Sequence, residues 1–168
     1  MKKFFLGVLL TILVGVVGGL ALALLGFLPV QANVPPPGWE KAIASHAMDA
    51  SVERHAPKAT NPFEPNEDNL NQGMIVYTMN CALCHGSPAK KDNALGRSFY
   101  PPAPQFLEDP ADMPDNHNFW IVQNGIRYTG MPGWKGTLSE EQMWKVTLFI
   151  GNMEKLPPAV KAKWEGGQ

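Results

Sequence analysis

The only two cysteines of the chain lie close together and are followed at once by a histidine. They are Cys81 and Cys84, separated by two residues, and His85 comes next. A thiol can add to a vinyl group to form a thioether, and an imidazole nitrogen can bind iron. Three neighbouring side chains can therefore fix one macrocycle, and the C-x-x-C-H spacing is typical of covalent haem attachment. We expect Cys81, Cys84 and His85 to bind one haem c, with His85 as an iron ligand.

A C-x-x-C pair also occurs in other kinds of site. A structural zinc site needs four ligands, and no second cysteine pair or pair of histidines follows in the sequence. A thioredoxin-like site would open a helix within a βαβ unit, whereas these cysteines close a predicted helix. A disulfide across two residues would be strained. The sequence therefore favours haem over zinc, thiol redox chemistry and a disulfide.

A low-spin haem iron takes a second axial ligand, for which Met131 is the best candidate. It lies between Gly130 and Pro132-Gly133, where glycine permits close approach to a flat ring and proline stiffens the loop. We therefore predict that His85 and Met131 bind the metal. Met143 and Met153 are weaker candidates, since a methionine at helical spacing usually packs in the core, and Met113 lacks neighbouring glycines. The other possible donors are His46, His55 and His117.

The elements that must position these side chains are helical. Apolar spacing and caps predict three helices, over 67–81, 115–123 and 139–152. Asn66 is the expected N-cap of the first helix, and the last begins at a capping box of Ser139 and Gln142. No clear alternation of apolar and polar residues indicates a strand. The predicted fold class is all-α, a small helical domain over 70–156.

A long irregular segment separates the first two helices. Residues 87–114 hold six prolines, and a loop of this length is uncommon in a compact domain unless it is functional. The domain is also small for a self-sufficient hydrophobic core. Both observations favour a large buried cofactor that orders the loop.

The N-terminus has the composition of a membrane segment. Residues 4–28 carry no charged side chain, and Lys2 and Lys3 precede them. Such a run is long enough to cross a bilayer, and the two lysines favour a cytoplasmic N-terminus with the rest of the chain exported. We predict an uncleaved anchor over 1–32. A cleaved signal peptide is the alternative, because Val30-Gln31-Ala32 offers a peptidase site.

The remaining segments are expected to be accessory. Residues 33–69 are rich in proline and polar side chains and predict mainly a spacer, with a short helix at 38–54 that could lie on the membrane, on the domain or on a partner. Residues 157–168 are expected to form a C-terminal tail. The net charge of −1 gives no electrostatic signal for nucleic acid, and we expect no small-molecule substrate.

Several motifs in 70–156 resemble class I monohaem c-type cytochromes, and they cover roughly half of the chain. Gly73 and Tyr77 resemble the positions where that family's first and last helices cross, here against Val146 and Phe149. The segment from Asn124-Gly125-Ile126 to Gly130-Met131-Pro132-Gly133-Trp134 resembles the family's methionine-ligand segment. Tyr100-Pro101-Pro102-Ala103-Pro104 resembles its proline-rich wall, and Trp144 the aromatic of its last helix. The resemblance implies a cytochrome c fold with one covalent haem.

Three residues expected near the haem ring allow more than one interpretation. Arg127 is either a partner of a haem propionate or an ordinary surface arginine. Trp134 and Tyr100 either donate to the propionates or simply cover the ring.

These residues predict an electron relay rather than an enzyme, because iron held by His85 and Met131 has no free position for a substrate. We expect a single-pass protein of the bacterial inner membrane, with its haem domain on the periplasmic side. It would carry single electrons in a respiratory or photosynthetic chain, between membrane complexes or periplasmic redox proteins. The alternatives are a fixed haem subunit of an oxidase, a quinol-oxidising complex or a dehydrogenase, and a gas-binding or peroxidase-like haem with an open site.

Overall fold

The computed structural model describes residues 1–91 and 93–166, and every regular element in these residues is helical. The predicted all-α class is confirmed. By contacts the chain divides into two compact units, Met1–Val34 and Pro35–Gln168. The helices are α1 (Lys2–Leu24), α2 (Gly38–His55), α3 (Glu67–Asn80), α4 (Ala82–His85), α5 (Ala94–Arg97), α6 (Asp115–Asn124), α7 (Glu140–Gly151) and α8 (Pro158–Glu165), with a 3₁₀ turn at Met153–Lys155.

The first unit consists mainly of α1. This helix has 23 residues with a mean hydropathy of 2.6, and none of its side chains is buried within the protein. At 1.5 Å per residue it is about 35 Å long, which exceeds a hydrocarbon core of about 30 Å. By length and composition it is a candidate membrane span.

The core of the second unit is the crossing of α3 and α7. Gly73 on α3 lies directly against the backbone of Lys145, so closely that a β-carbon at position 73 would lie 2.1 Å from that carbonyl oxygen. One turn later, the ring of Tyr77 packs on Phe149 with centroids 5.5 Å apart. Glycine therefore sets the distance between the two helices, and the aromatic pair fills the space beside it.

The ends of these helices follow the local sequence signals. The side chain of Asn66 accepts from the backbone N–H of Asn69 and caps α3 as predicted. Ser139 and Gln142 form the predicted capping box of α7. Both helices end within a residue of the predicted position. Local caps thus fix the starts of the two crossing helices.

Helix α6 also packs against α7. The rings of Phe119 and Trp144 are stacked with centroids 4.0 Å apart and planes 11° apart. Gly125 ends α6 with φ 68°, a left-handed conformation that glycine adopts without steric cost. The chain turns sharply there into the segment that contains Met131.

The segment expected to be a C-terminal tail contributes a helix to the core. Val160 and Trp164 of α8 are buried, and the Trp164 ring meets those of Tyr77 and Phe149 edge-on at 5.5 and 5.2 Å. Two apolar residues one turn apart were too short a signal to distinguish this helix from a tail. Helix α8 covers the end of the α3–α7 crossing.

Residues 38–66 include the expected short helix, as α2, and they pack on the rest of the second unit, which was one of the three locations left open for that helix. Val52 of α2 is only 1% exposed, and His55 stacks on Trp120 of α6 with centroids 6.1 Å apart. Farther along, Asn61 donates hydrogen bonds to a carboxylate oxygen of Asp115 and to the carbonyl oxygen of Trp144. This polar, proline-rich segment is ordered by long-range contacts that its own periodicity does not reveal.

Candidate haem-binding site

The C-x-x-C-H segment follows α3 without a break. Cys81 caps the end of α3, and Cys84 and His85 lie on the single turn α4. Both cysteines are free thiols, Cys81 buried and Cys84 half-buried. Burial, followed by the effect of nearby Cys84, raises the pKa of the Cys81 thiol to about 12. A reactive redox thiol needs a lowered pKa, so this environment does not suit the thiol-redox alternative.

The His85 ring is held by the proline-rich wall. Its Nδ1–H donates to the carbonyl oxygen of Pro104 at 2.9 Å, and its face stacks on Phe106 with centroids 4.8 Å apart and planes 9° apart. Burial lowers the pKa of His85, against the opposing effect of the Pro104 hydrogen bond. The ring is therefore neutral at pH 7, and Nε2 is the nitrogen left with a free lone pair. This is the arrangement that metal-binding histidines usually have.

Directly after His85 the chain turns away through Gly86, which has φ 84°. The hydroxyl group of Tyr77 donates to the Gly86 carbonyl oxygen at 2.9 Å. Burial, followed by nearby Cys81, raises the pKa of Tyr77 well above its ordinary range, so the hydroxyl keeps its proton. Tyr77 thus joins the α3–α7 crossing to the end of the attachment segment.

Contacts from Gln105 and from α5 also hold α4 in place. Gln105 Nε2 donates to the carbonyl oxygens of Cys84 at 2.9 Å and Ala103 at 2.8 Å. A β-carbon at Gly96 of α5 would lie 2.0 Å from the Cys84 carbonyl oxygen, so only glycine allows α5 to pack here. The Asn93 side chain caps α5 by accepting from the Gly96 N–H. The sequence analysis did not predict these residues, because their contacts with α4 leave no recognisable pattern in the local sequence.

The Met131 segment folds back on the end of α6. The N–H of Ile126 donates to the Met131 carbonyl oxygen at 3.1 Å, and the Met131 N–H donates to Oγ1 of Thr129 at 3.1 Å. The N–H of Trp134 donates to the carbonyl oxygen of Val122. Met131 itself is half-buried against the hydrophobic core. The backbone around the predicted thioether ligand is therefore fixed on both sides.

The competing donors have other environments. Met143 is 2% exposed within the core. His117 lies 3.5 Å from a carboxylate oxygen of Glu53, and His55 stacks on Trp120. These side chains already serve packing or pairing within the domain, so Met131 stays the predicted second ligand.

The three residues with open roles around the ring differ in their surroundings. The Tyr100 hydroxyl donates to Oε1 of Glu40 at 2.7 Å, and this hydrogen bond is the main reason that the pKa of Tyr100 is raised. Trp134 packs half-buried against the core, and Arg127 is exposed. The Tyr100 hydroxyl therefore donates to Glu40 in place of a propionate.

The residues present fit a covalently bound haem. Two free thiols, an imidazole with its second nitrogen free and a thioether on a fixed loop are the donors that haem c requires. Residues 1–91 and 93–166 contain no group of three or more histidine, cysteine, aspartate or glutamate side chains that could hold a metal ion by themselves. Cys81, Cys84 and His85 would hold the group from one side, and Met131 from the Gly125–Gly133 turn.

Comparison with known proteins identifies the class of the domain. Residues 68–150 match the family described as cytochrome c oxidase, cbb3-type, subunit III. This match confirms the predicted resemblance of these residues to a c-type cytochrome domain, a kind of domain that suggests haem-based electron transfer.

Two further comparisons add little to this family match. No curated protein matches the chain. A chain of a reducing HAO-like protein complex from Kuenenia stuttgartiensis is similar in structure, with a TM-score of 0.46 and 19% identity over 60% of this chain. The match spans half the length of that protein.

Proposed function

We propose that the protein is a membrane-anchored monohaem cytochrome c that transfers single electrons on the periplasmic face of the bacterial inner membrane. The observation that carries the proposal is the state of His85. Its Nδ1–H is bound to Pro104 at 2.9 Å, which leaves Nε2 free beside two unpaired cysteines. The proposed sites are Cys81 and Cys84 for covalent attachment and His85 with Met131 for the iron.

Each residue then has a defined task in electron transfer. When bound, haem c supplies an iron that exchanges one electron between its ferrous and ferric states. Pro104 and Phe106 fix the plane of His85, and the hydrogen-bonded turn fixes Met131, so the ligands need little rearrangement between the two states. A thioether ligand raises the reduction potential relative to a second histidine. If His85 and Met131 both held the iron, no position would be left for a substrate, and the domain would act as an electron relay.

The proposed location rests on α1 and its flanks. Lys2 and Lys3 precede the apolar run, which favours a cytoplasmic N-terminus. The cytochrome domain follows α1, which supports a location outside, where covalent haem attachment would occur and respiratory or photosynthetic donors and acceptors would be available.

Expression of the full chain in a host that matures c-type cytochromes tests this function. We expect haem that stays on the chain in denaturing gels, one haem per chain, and membrane association that resists alkaline carbonate. We also expect the oxidised protein to show the long-wavelength absorption of a sulfur–iron bond. Haem that dissociates on denaturation would refute covalent attachment. Carbon monoxide binding at neutral pH by the folded ferrous protein would refute Met131 ligation and favour the open-site alternative.

A fixed haem subunit of a larger oxidase is the second candidate. It is favoured by the description of the matching family and by the packing of 38–66 on the domain, which shortens the flexible connection to α1. Membranes dissolved in mild detergent distinguish the two candidates when haem absorption is followed through chromatography. Elution with larger membrane subunits in fixed ratio supports the subunit, and elution alone supports the carrier.

A further inference from the structure

One face of α2 is exposed in the part of the chain that the structure describes. Trp39 and Ile43, one helical turn apart, are 68% and 65% exposed. We call these two residues the outer patch. The other face of the same helix is used, because Val52 is buried and His55 stacks on α6. The outer patch is therefore not the core-facing stripe of α2, and two large apolar side chains remain in water.

The polarity of α2 changes from its first turns to its last turns. The outer patch occupies the first two turns, while the exposed side chains of the last two turns include Asp49, Glu53 and Arg54. A helix lying flat in a membrane surface would need an apolar stripe along its whole length. Here only the end nearer in sequence to α1 is apolar, which fits contact with a bilayer through the first two turns only.

The connection between the apolar run and α2 is short. Only residues 29–37 separate the end of that run from Gly38. Nine residues have a typical end-to-end distance of roughly 15–18 Å if flexible, and three successive prolines make part of the connection stiffer. With the run anchored, the start of α2 is confined to the vicinity of the membrane surface.

We propose that the outer patch inserts into the lipid headgroup region of the outer leaflet, and this inference rests on the membrane anchoring in the proposed function. Tryptophan favours that region because its ring has an apolar body and one N–H donor. In the first two turns the charged residues are Glu40 and Lys41, and Glu40 is bound to Tyr100. This balance gives no attraction to anionic lipid, so an uncharged phosphatidylcholine surface is sufficient.

The contact has a consequence for the haem site. Glu40 lies between Trp39 and Lys41 and accepts the hydrogen bond of Tyr100, the first residue of the proline-rich wall. Four residues later, Pro104 holds His85. Insertion of the outer patch would therefore set how the cytochrome domain is oriented to the membrane and not only its distance from it.

Photo-crosslinking of the full haem-loaded chain in phosphatidylcholine vesicles tests the proposal. p-Benzoylphenylalanine replaces Ile43 in one sample and exposed Asp49 of the same helix in the matched control. After irradiation, mass spectrometry of the chain is expected to show a phospholipid adduct at position 43 and little at position 49. Trp39→Ser should reduce the position-43 adduct by about tenfold, because it removes one large apolar side chain that the proposal places in lipid. Addition of phosphatidylglycerol should change the yield by less than about twofold, since no excess of basic residues is present.

Three results would overturn the proposal. These are no lipid adduct at position 43, equal adducts at both positions, or, in native membranes, a protein adduct at position 43 in place of the lipid adduct. The last result would assign the outer patch to a partner subunit. Haem absorption and carbonate resistance of the same samples report on the proposed function separately. If both hold while the adduct is absent, only the insertion fails.

Discussion

The hydroxyl group of Tyr100 donates a hydrogen bond to Oε1 of Glu40 across 2.7 Å, although the two residues are 60 positions apart in the chain. This bond joins α2, which precedes the cytochrome domain in sequence, to the proline-rich wall beside His85. The two segments are therefore parts of one structural unit. Because the hydroxyl proton of Tyr100 is used in this bond, Tyr100 does not donate to a haem propionate in this arrangement.

The Tyr100–Glu40 bond predicts a dependence of stability on alkaline pH. The pKa of Tyr100 is raised above its ordinary value of 10.0 in the folded protein, mainly by the bond to Glu40. A raised folded pKa means that this contribution to stability is complete below pH 10 and is lost as pH rises through the folded value. Wild type should thus be more stable than Tyr100→Phe at pH 8, and the difference should shrink above pH 10. Denaturant titrations at several pH values measure it, and a difference that grew with pH would contradict the bond.

Gly73→Ala is expected to destabilise the domain strongly. The new methyl group would lie 2.1 Å from the Lys145 carbonyl oxygen, so α3 and α7 would have to separate. Overpacking of this kind costs about 1–3 kcal/mol, and contact with rigid backbone places this variant at the upper end. Gly136→Ala is the matched control, because nothing lies within 4 Å of a β-carbon there. Chemical unfolding of the haem-loaded protein measures both, and equal stabilities would show that the helices are farther apart than described.

Gln105 is expected to stabilise the attachment segment through its two donated hydrogen bonds. Gln105→Met keeps the length of the side chain but leaves the carbonyl oxygens of Cys84 and Ala103 without this donor. Each of the two lost hydrogen bonds contributes about 0.5–1.5 kcal/mol, so the free energy of unfolding should fall by about 1–3 kcal/mol. Gln105→Glu should be worse, since a carboxylate would face two carbonyl oxygens. If Gln105→Met were as stable as wild type, the side chain would serve only to fill space.

Met131→His is expected to lower the reduction potential while haem stays attached. A second histidine favours the ferric state relative to a thioether, and axial ligands span about 0.8 V among haem proteins, so a decrease of roughly 0.1–0.3 V is expected. The long-wavelength sulfur–iron absorption should disappear. Met113→Ala, at a half-buried methionine before α6, should change neither property. A spectroelectrochemical titration compares the three proteins, and loss of the absorption in Met113→Ala alone would reassign the ligand.

The local signals in the sequence predicted much of the fold. Asn66 and Ser139 mark helix starts because capping depends on residues within one turn, and Gly73 and Tyr77 lie where the resemblance implied. The remaining features depend on residues far apart in sequence. Neither the polar segment around Asn61 nor the apolar pair of α8 forms a regular pattern long enough to be read. Gln105 acts through a backbone carbonyl that any residue at position 84 would carry, so side-chain identity gave no sign of the contact. The four predicted haem-binding residues, two cysteines for attachment and His85 with Met131 for the iron, come from local sequence and stay predictions.

The crossing of α3 and α7 also determines the order in which parts of the domain fold. Gln72 and Lys145 form a hydrogen bond across the crossing although they are 73 positions apart, so α3 cannot bury its inner face until α7 has been synthesised. If the chain is exported with α1 first, as proposed, Cys81, Cys84 and His85 would leave the membrane before the helix that completes the core. The closing contact has a high sequence separation and is correspondingly slow to form. Under the proposed function, the attachment segment would stay accessible to haem-attaching enzymes until α7 arrives and closes the core.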